Sequence, residues 1–379
     1  MIVQAFLRWA DKAKANDRAQ AANALARAYI TSGMAPAEKR AAAIAMTYLL
    51  DDPAPQVRVA LSRALAPSAD APHSIVLALA EDQLEIAAPV ILSSPVLSAA
   101  DLVDLAAGGS AHTRALIASR PSLDIRVVAA LAEVAGVEEL LILLENPTAR
   151  FGRVALRRMA ERHGADASLR ECLLNREDLP VDARHVLVEH VSDAVSGLLL
   201  VTAAMGRMRA EKIAGEAKVS AALELAGQGD AQECDALVEQ MRARGELTPA
   251  FLMQVLCAGR TDFFAGALSA LTQMEERRVR SILATGRYHS VRALIESAGL
   301  SRSVSSLFVD AILLWRQTLE QAPHVAVCDV LEKLVERSGK VGETDGDAAE
   351  LLEIVVKFQR LEERRRARDF ASALSLAAA

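Results

Sequence analysis

The sequence predicts an all-α protein: a solenoid of helical hairpins, then a second helical unit, then a C-terminal helix. Three observations carry this. Apolar residues recur at helical spacing along nearly the whole chain, and the strict apolar–polar alternation of a half-buried strand is missing. The apolar residues are mainly Ala, Leu and Val, with aromatics at only 3%, so helices can approach closely; Ala and Leu are also good helix formers. Breakers come at short intervals: Gly33 to Pro36, Asp51 to Pro55, Pro67 to Pro72, Pro95, Gly108-Gly109, Pro121, Pro147 and Pro180. Each suits a helix end or a first helical turn, where proline is tolerated.

The first element, residues 1–228, is expected to hold the hairpins. Residues 58–64 (Arg-Val-Ala-Leu-Ser-Arg-Ala) and 153–159 (Arg-Val-Ala-Leu-Arg-Arg-Met) match at five of seven positions, and each follows an Asp/Asn-Pro turn. With a repeat unit of ~30–35 residues, that separation predicts three units between the two copies. Within this region the longest apolar stretch, Val195 to Met205, is far short of the ~20 residues that span a bilayer and is expected to be a buried helix.

The texture changes around residues 225–250. Gly227-Gln228-Gly229-Asp230 predicts a turn, and Gly245-Glu246-Leu247-Thr248-Pro249 predicts a helix stop, a cap and a first-turn proline. A second helical domain is therefore placed at 229–338. The polar run that begins at Ser338 predicts a linker over 339–349. Residues 350–379 then form the tail helix, with Leu351, Ile354, Phe358 and Leu361 at heptad spacing. This short seam allows either a homodimer through the tail or docking of the tail on its own body.

Two resemblances add to this. Asp51-Asp52-Pro53-Ala54-Pro55-Gln56-Val57-Arg58-Val59-Ala60-Leu61 resembles the HEAT repeat, in which an Asp and the Arg of Val-Arg-x-x-Ala tie adjacent repeats together. By that resemblance Asp51 or Asp52 and Arg58 belong to such a ladder. A wider set of residues resembles the bacterial family known as domain of unknown function 2336. It comprises Leu79-Ala80-Glu81-Asp82, Ile86 to Ile91, Leu97-Ser98, Asp101-Leu102-Val103, His112, Ala118 to Leu123, Gly245 to Pro249 and Phe264 to Leu271. The resemblance covers about residues 50–320; it implies a helical fold and no particular activity.

No chemical motif emerges. The four cysteines Cys172, Cys234, Cys257 and Cys328 form no CxxC pair, so free buried thiols are expected in a reducing cytoplasm. His185 and His190 are five apart, which puts their rings about 140° apart on a helix, whereas zinc helices use a spacing of four. His73, His112, His163, His289 and His324 are expected to cap or pack. Phosphate-binding loops and nucleophile elbows are missing, and no acid–base pair can be chosen from spacing. The chain is expected to be non-catalytic, without cofactor or metal.

The arginine clusters carry most of the functional information. Arg150, Arg153, Arg157, Arg158 and Arg162 are expected on one helix, with Phe151, Val154, Ala155 and Met159 facing the core. A second cluster is Arg277, Arg278, Arg280, Arg287 and Arg292, and a third is Arg364, Arg365, Arg366 and Arg368. Arg150, Arg153, Arg157, Arg158, Arg162, Arg277, Arg280 and Arg287 are the partner-binding candidates. The net charge of −6 argues against a surface basic all over. These features predict a cytoplasmic scaffold or regulatory adaptor that binds an unidentified protein through its repeat surface and does not span a membrane. Nucleic-acid binding through arginine-lined helices is the alternative.

Overall fold

Local signals account for several helix starts. Ser98 accepts a hydrogen bond from the Asp101 amide while the Asp101 carboxylate accepts from the Ser98 amide at 2.8 Å, a reciprocal cap. Ser110, Asp124, Asp166, Asp230 and Thr248 cap further helices with their side chains, and Pro36, Pro55 and Pro249 occupy first turns. A computed structural model describes residues 2–321, 327–337 and 346–377, and among these it has twenty-three helices and no strand. The protein is all-α. His324, Ser338, residues 339–345 of the expected linker, and Ala378 and Ala379 lie outside the described residues, as does the side chain of Cys328.

The chain forms two compact units, Met1–Leu187 and Val188–Ala379. The first contains α1 (Ile2–Ala10), α2 (Ala15–Thr31), α3 (Pro36–Leu50), α4 (Pro55–Leu65), α5 (His73–Ala80), α6 (Leu84–Ser93), α7 (Ala99–Gly108), α8 (Ala111–Ala118), α9 (Ile125–Val134), α10 (Val137–Glu145), α11 (Arg153–His163) and α12 (Ala167–Leu174). Helix α13 (Val181–Gly197) begins in this unit. Helices α2, α4, α6, α8, α10 and α12 each pack on the next of that set; α1, α3 and α5 do the same, as do α7, α9 and α11. One continuous apolar cluster runs from Ala22 to Leu187 beneath both sets.

Polar ties join successive helices at their ends. Arg18 makes a bidentate pair with Asp52 (2.6 and 2.8 Å), and Asp52 also accepts from the Ala54 amide. Arg58 pairs with Asp82, and Ser62 Oγ, fully buried, donates to the Ile86 carbonyl at 2.6 Å. Asp52 and Arg58 thus serve two successive ties instead of pairing with each other, and Asp51 is exposed. The sequence echo needs a correction as well. Residues 58–64 lie in α4 and 153–159 in α11, seven helices on and in the other set, so the separation is not three whole hairpins. The two copies also sit at different depths, Arg58 being the fourth residue of α4 and Arg153 the first of α11.

The second unit continues α13 and adds α14 (Leu199–Met205), α15 (Arg207–Leu225), α16 (Ala231–Ala243), α17 (Pro249–Cys257), α18 (Thr261–Thr272), α19 (Glu276–Thr285), α20 (Tyr288–Ser297), α21 (Arg302–Gln321), α22 (Val327–Arg337) and α23 (Asp347–Ala377). Its division from the first unit falls before the expected boundary at 228, because α15 packs on α14 and α17 and so belongs with the C-terminal helices. Helix α17 is central and touches α15, α18, α21, α22 and α23. Phe251 meets Phe263 edge-on and Phe264 stacks on Phe308 in this core. Helix α17 ends in a Schellman motif: the Arg260 amide bonds to the Val255 carbonyl and the Gly259 amide to Leu256, with Gly259 at φ +72°. The indole of Trp315 donates to that same Leu256 carbonyl at 2.8 Å. The tail helix docks on its own unit through Leu351, Leu352 and Val355, and Leu361 of the expected seam is exposed.

The stretch from Val195 to Met205 is not a buried helix. Gly197 ends α13, Leu198 is extended, the chain turns by 63°, and α14 has no buried residue. No single helix among the described residues is long and apolar enough to cross a membrane.

Candidate functional site

The five arginines of the first cluster separate into two chemical groups. Helix α11 starts at Arg153 after Gly152, so Arg150 lies in the preceding loop and not on the helix with the others. Arg162 sends Nη1 to the Ala132 and Ala135 carbonyls (2.7 and 3.1 Å), satisfying the C-terminus of α9. His163 Nε2 lies 3.2 Å from the same Ala135 carbonyl. Arg158 donates to Glu133 at 2.8 Å, a hydrogen bond that holds its guanidinium more strongly protonated than usual, and Arg157 reaches Glu161 and Asp182. These three tie α11 to its neighbours.

Arg150 and Arg153 make no side-chain hydrogen bond or ion pair among the described residues, and both are exposed. Between them the expected inward face is only partly right. Ala155 and Met159 are buried and Phe151 packs against the core, but Val154 is 75% exposed. Ile125, the first residue of α9, is 53% exposed and lies so close to Gly152 that a Cβ there would sit 3.3 Å from its Cδ1. Two apolar side chains and two unpaired guanidiniums therefore share one surface, at the N-terminal ends of α9 and α11. Helix N-termini carry partial positive charge; that of α9 is met by the Asp124 carboxylate, while that of α11, which follows Gly152, has no side-chain cap and favours an acidic group. The sequence alone hides this division, since nothing local distinguishes an arginine that reaches a carbonyl ~30 residues away from one that reaches solvent.

The second cluster divides similarly. Arg280 is engaged by Asp262 and Glu276, which raise its pKa, and Arg292 by Glu296 at 2.9 Å. Arg277, Arg278 and Arg287 are exposed and without a partner among the described residues. In the third, Arg365 reaches Glu224 and Glu362, while Arg364 and Arg368 line, with Arg260 and Phe358, a cleft of about 720 Å³ in the second unit.

The nucleophile candidates are muted. Burial pushes the Cys257 thiol up to about 12. Burial and the nearby Asp235, Asp262 and Glu276 carboxylates push Cys234 up to about 11. Cys172 and Cys234 are only partly buried, where full burial was expected. Of the histidines, His73 bonds Asp101 at 2.9 Å and His289 meets Tyr288 edge-on.

A family model described as an uncharacterised protein conserved in bacteria (DUF2336) matches residues 86–365. It begins later and ends later than the sequence resemblance placed it, taking in most of α23. No curated protein and no solved structure matches the chain.

Proposed function

We infer that this chain, which belongs to the bacterial DUF2336 family, is a non-catalytic adaptor that binds an acidic protein partner on the surface of a HEAT-like helical array. The two sets of stacked helices in the first unit support the array, since helical-repeat proteins commonly bind partners along such surfaces. The observation that carries the reading is Val154, 75% exposed beside the unpaired Arg153 at the start of α11. An arginine at a first helical position opposes the helix dipole, and an exposed valine gains nothing from water. Both become favourable against a partner that brings a carboxylate and apolar area.

The test is affinity purification of the tagged native protein alongside an Arg150→Glu/Arg153→Glu/Val154→Ser variant, with mass spectrometry of what each retains. A stoichiometric partner held by the native protein and lost from the variant, whose melting temperature is not lowered, is the expected result. A partner retained equally by both removes this surface from the reading. Nucleic-acid binding at about 50 mM salt, where phosphate contacts are strongest, that disappears in the variant would replace the protein partner with a polyanion.

A further inference from the structure

Helix α14 and the start of α15 present an apolar surface that the fold leaves uncovered. Leu199, Leu200 and Met208 are each 85% exposed, and Val195, Leu198, Met205 and Ile213 are exposed to a lesser degree. At 100° per residue Leu199, Leu200, Ala203 and Ala204 fall on one face of α14, while Val201, Thr202 and Met205 lie on the side turned toward α15. The burial pattern agrees: Val201 and Thr202 are half-buried, and the first four are exposed. From Ala194 to Gly206 the chain has no charged residue. Immediately afterwards Arg207, Arg209 and Lys212 are exposed, with Glu211 the single acid among them, and Arg207 and Arg209 have no ion-pair partner among the described residues.

Two occupants fit an apolar face of this kind, a second copy of the chain or a lipid surface. A stable dimer face takes ~20–30 residues on each side, and this patch offers seven large apolar side chains. Two-fold pairing through it would also bring each copy's Arg207 and Arg209 toward those of the other, with one acid apiece to offset them. An anionic bilayer answers both features. Leucine and methionine side chains on a short helix enter the boundary between headgroups and acyl chains, and neighbouring basic residues meet the lipid phosphates.

We propose that α14 and the first turns of α15 form a peripheral docking element for an anionic membrane surface, with Leu199, Leu200 and Met208 inserted and Arg207 and Arg209 at the headgroups. The element lies in the interface plane and does not cross the bilayer. It is separate from the Arg153 surface and does not depend on it.

Flotation of the full chain with vesicles tests this, using phosphatidylcholine alone and phosphatidylcholine with about 30% phosphatidylglycerol, at low and high salt. The native protein is expected to float with the anionic vesicles at low salt and much less with the neutral ones. Leu199→Ser/Leu200→Ser should lower apparent binding by at least about tenfold, since both side chains leave the apolar phase. Arg207→Gln/Arg209→Gln should lower it severalfold and flatten the salt dependence. Because these side chains are exposed, both variants should melt with the native protein, so lost binding cannot be lost folding. Native protein that stays unbound, or a leucine variant that binds equally, overturns the proposal. So does a native dimer, seen by light scattering, that becomes monomeric in the leucine variant, because the face is then covered by a second copy.

Discussion

Arg162 and Arg153 lie in one helix and are opposite in kind, and a pair of substitutions separates them. Arg162→Met keeps an aliphatic stem and removes the guanidinium that satisfies the end of α9. A charge-assisted hydrogen bond contributes ~1.5–3 kcal/mol, and the Ala132 carbonyl is left without that donor. The Ala135 carbonyl retains His163 at 3.2 Å, so its share of the loss is small. The net expectation is ~2 kcal/mol, or a fall of ~4–8 °C in the melting of a unit this size. Arg153→Glu acts in reverse. It replaces a cation with an anion at a helix N-terminus, worth ~0.3–1 kcal/mol of added stability that fades in salt. Circular dichroism melts of the two variants and the native chain, at low and high salt, give the answer. An Arg162→Met protein that melts with the native chain, or an Arg153→Glu protein that melts several degrees lower, would refute the division of the cluster into structural and free arginines.

Three further outcomes follow from single sites. Cys257 is buried, and burial pushes its thiol up to about 12, so it holds far less thiolate at pH 8 than an ordinary thiol. Peptide mapping after iodoacetamide should find it unmodified until the chain unfolds, and modification as fast as Cys172 would contradict its burial. At Asp52, burial raises the carboxyl, but the hydrogen bonds from Arg18 and the Ala54 amide outweigh it and hold the pKa below its ordinary value. A depressed carboxyl adds stability that is complete above the ordinary carboxylate range and is lost as pH falls through its folded value. Asp52→Asn should therefore melt below the native chain at pH 7, and the gap should narrow as the pH falls below the ordinary carboxylate range; a gap that stays constant down that range would show that the charge is irrelevant. Gly259→Ala forces a side chain into the left-handed region, with its Cβ 3.1 Å from Trp315, and should destabilise the second unit by ~1–3 kcal/mol. Fluorescence of the buried Trp315 during urea unfolding measures this, and an unshifted midpoint would remove the glycine from the account.

The helical class was legible because apolar periodicity and cap chemistry are local. Ser98, Asp124 and Thr248 start helices with their own side chains, and no distant contact is needed to see it. What escaped the sequence is whatever a distant neighbour decides. The stretch from Val195 to Met205 has the composition of a buried helix and becomes an exposed one, because burial depends on what packs opposite, and among the described residues only α15 packs closely on α14. Val154 shows the same limit. Its helical position implies the core, but the helix start at Arg153 places it on the outer end of α11. The arginine clusters were visible as clusters, yet carbonyls at the end of α9 and carboxylates on other helices determine which members are spent on the fold. The unit boundary was misplaced for a related reason. Gly227 and Gly229 do form a turn, but a turn marks the end of a helix, and only the packing of α15 tells which unit that helix joins.

The two surfaces proposed for binding share a local construction. Helices α11 and α15 both begin after a glycine that offers no side-chain cap, place an arginine at the first helical position, and follow it with a highly exposed apolar residue: Gly152-Arg153-Val154 and Gly206-Arg207-Met208. The arginine and the apolar residue each cost a little stability: an acid at the first helical position would suit the dipole, and a polar side chain after it would suit water. The glycines are set by the backbone, since Gly206 sits at φ +80° and a Cβ on Gly152 would crowd Ile125. Selection for folding alone would erode such a combination, because many single substitutions would improve it. At both places the charge and the apolar side chain become favourable together when an anionic surface with apolar depth covers them. A protein carboxylate at α11 and a lipid headgroup at α15 meet that requirement with the same chemistry, and the unit division puts them on bodies that can be varied separately. Arg153→Glu should then abolish partner binding without changing flotation, and Leu199→Ser/Leu200→Ser should do the converse. Loss of both activities in either variant would mean that one ligand spans the two surfaces.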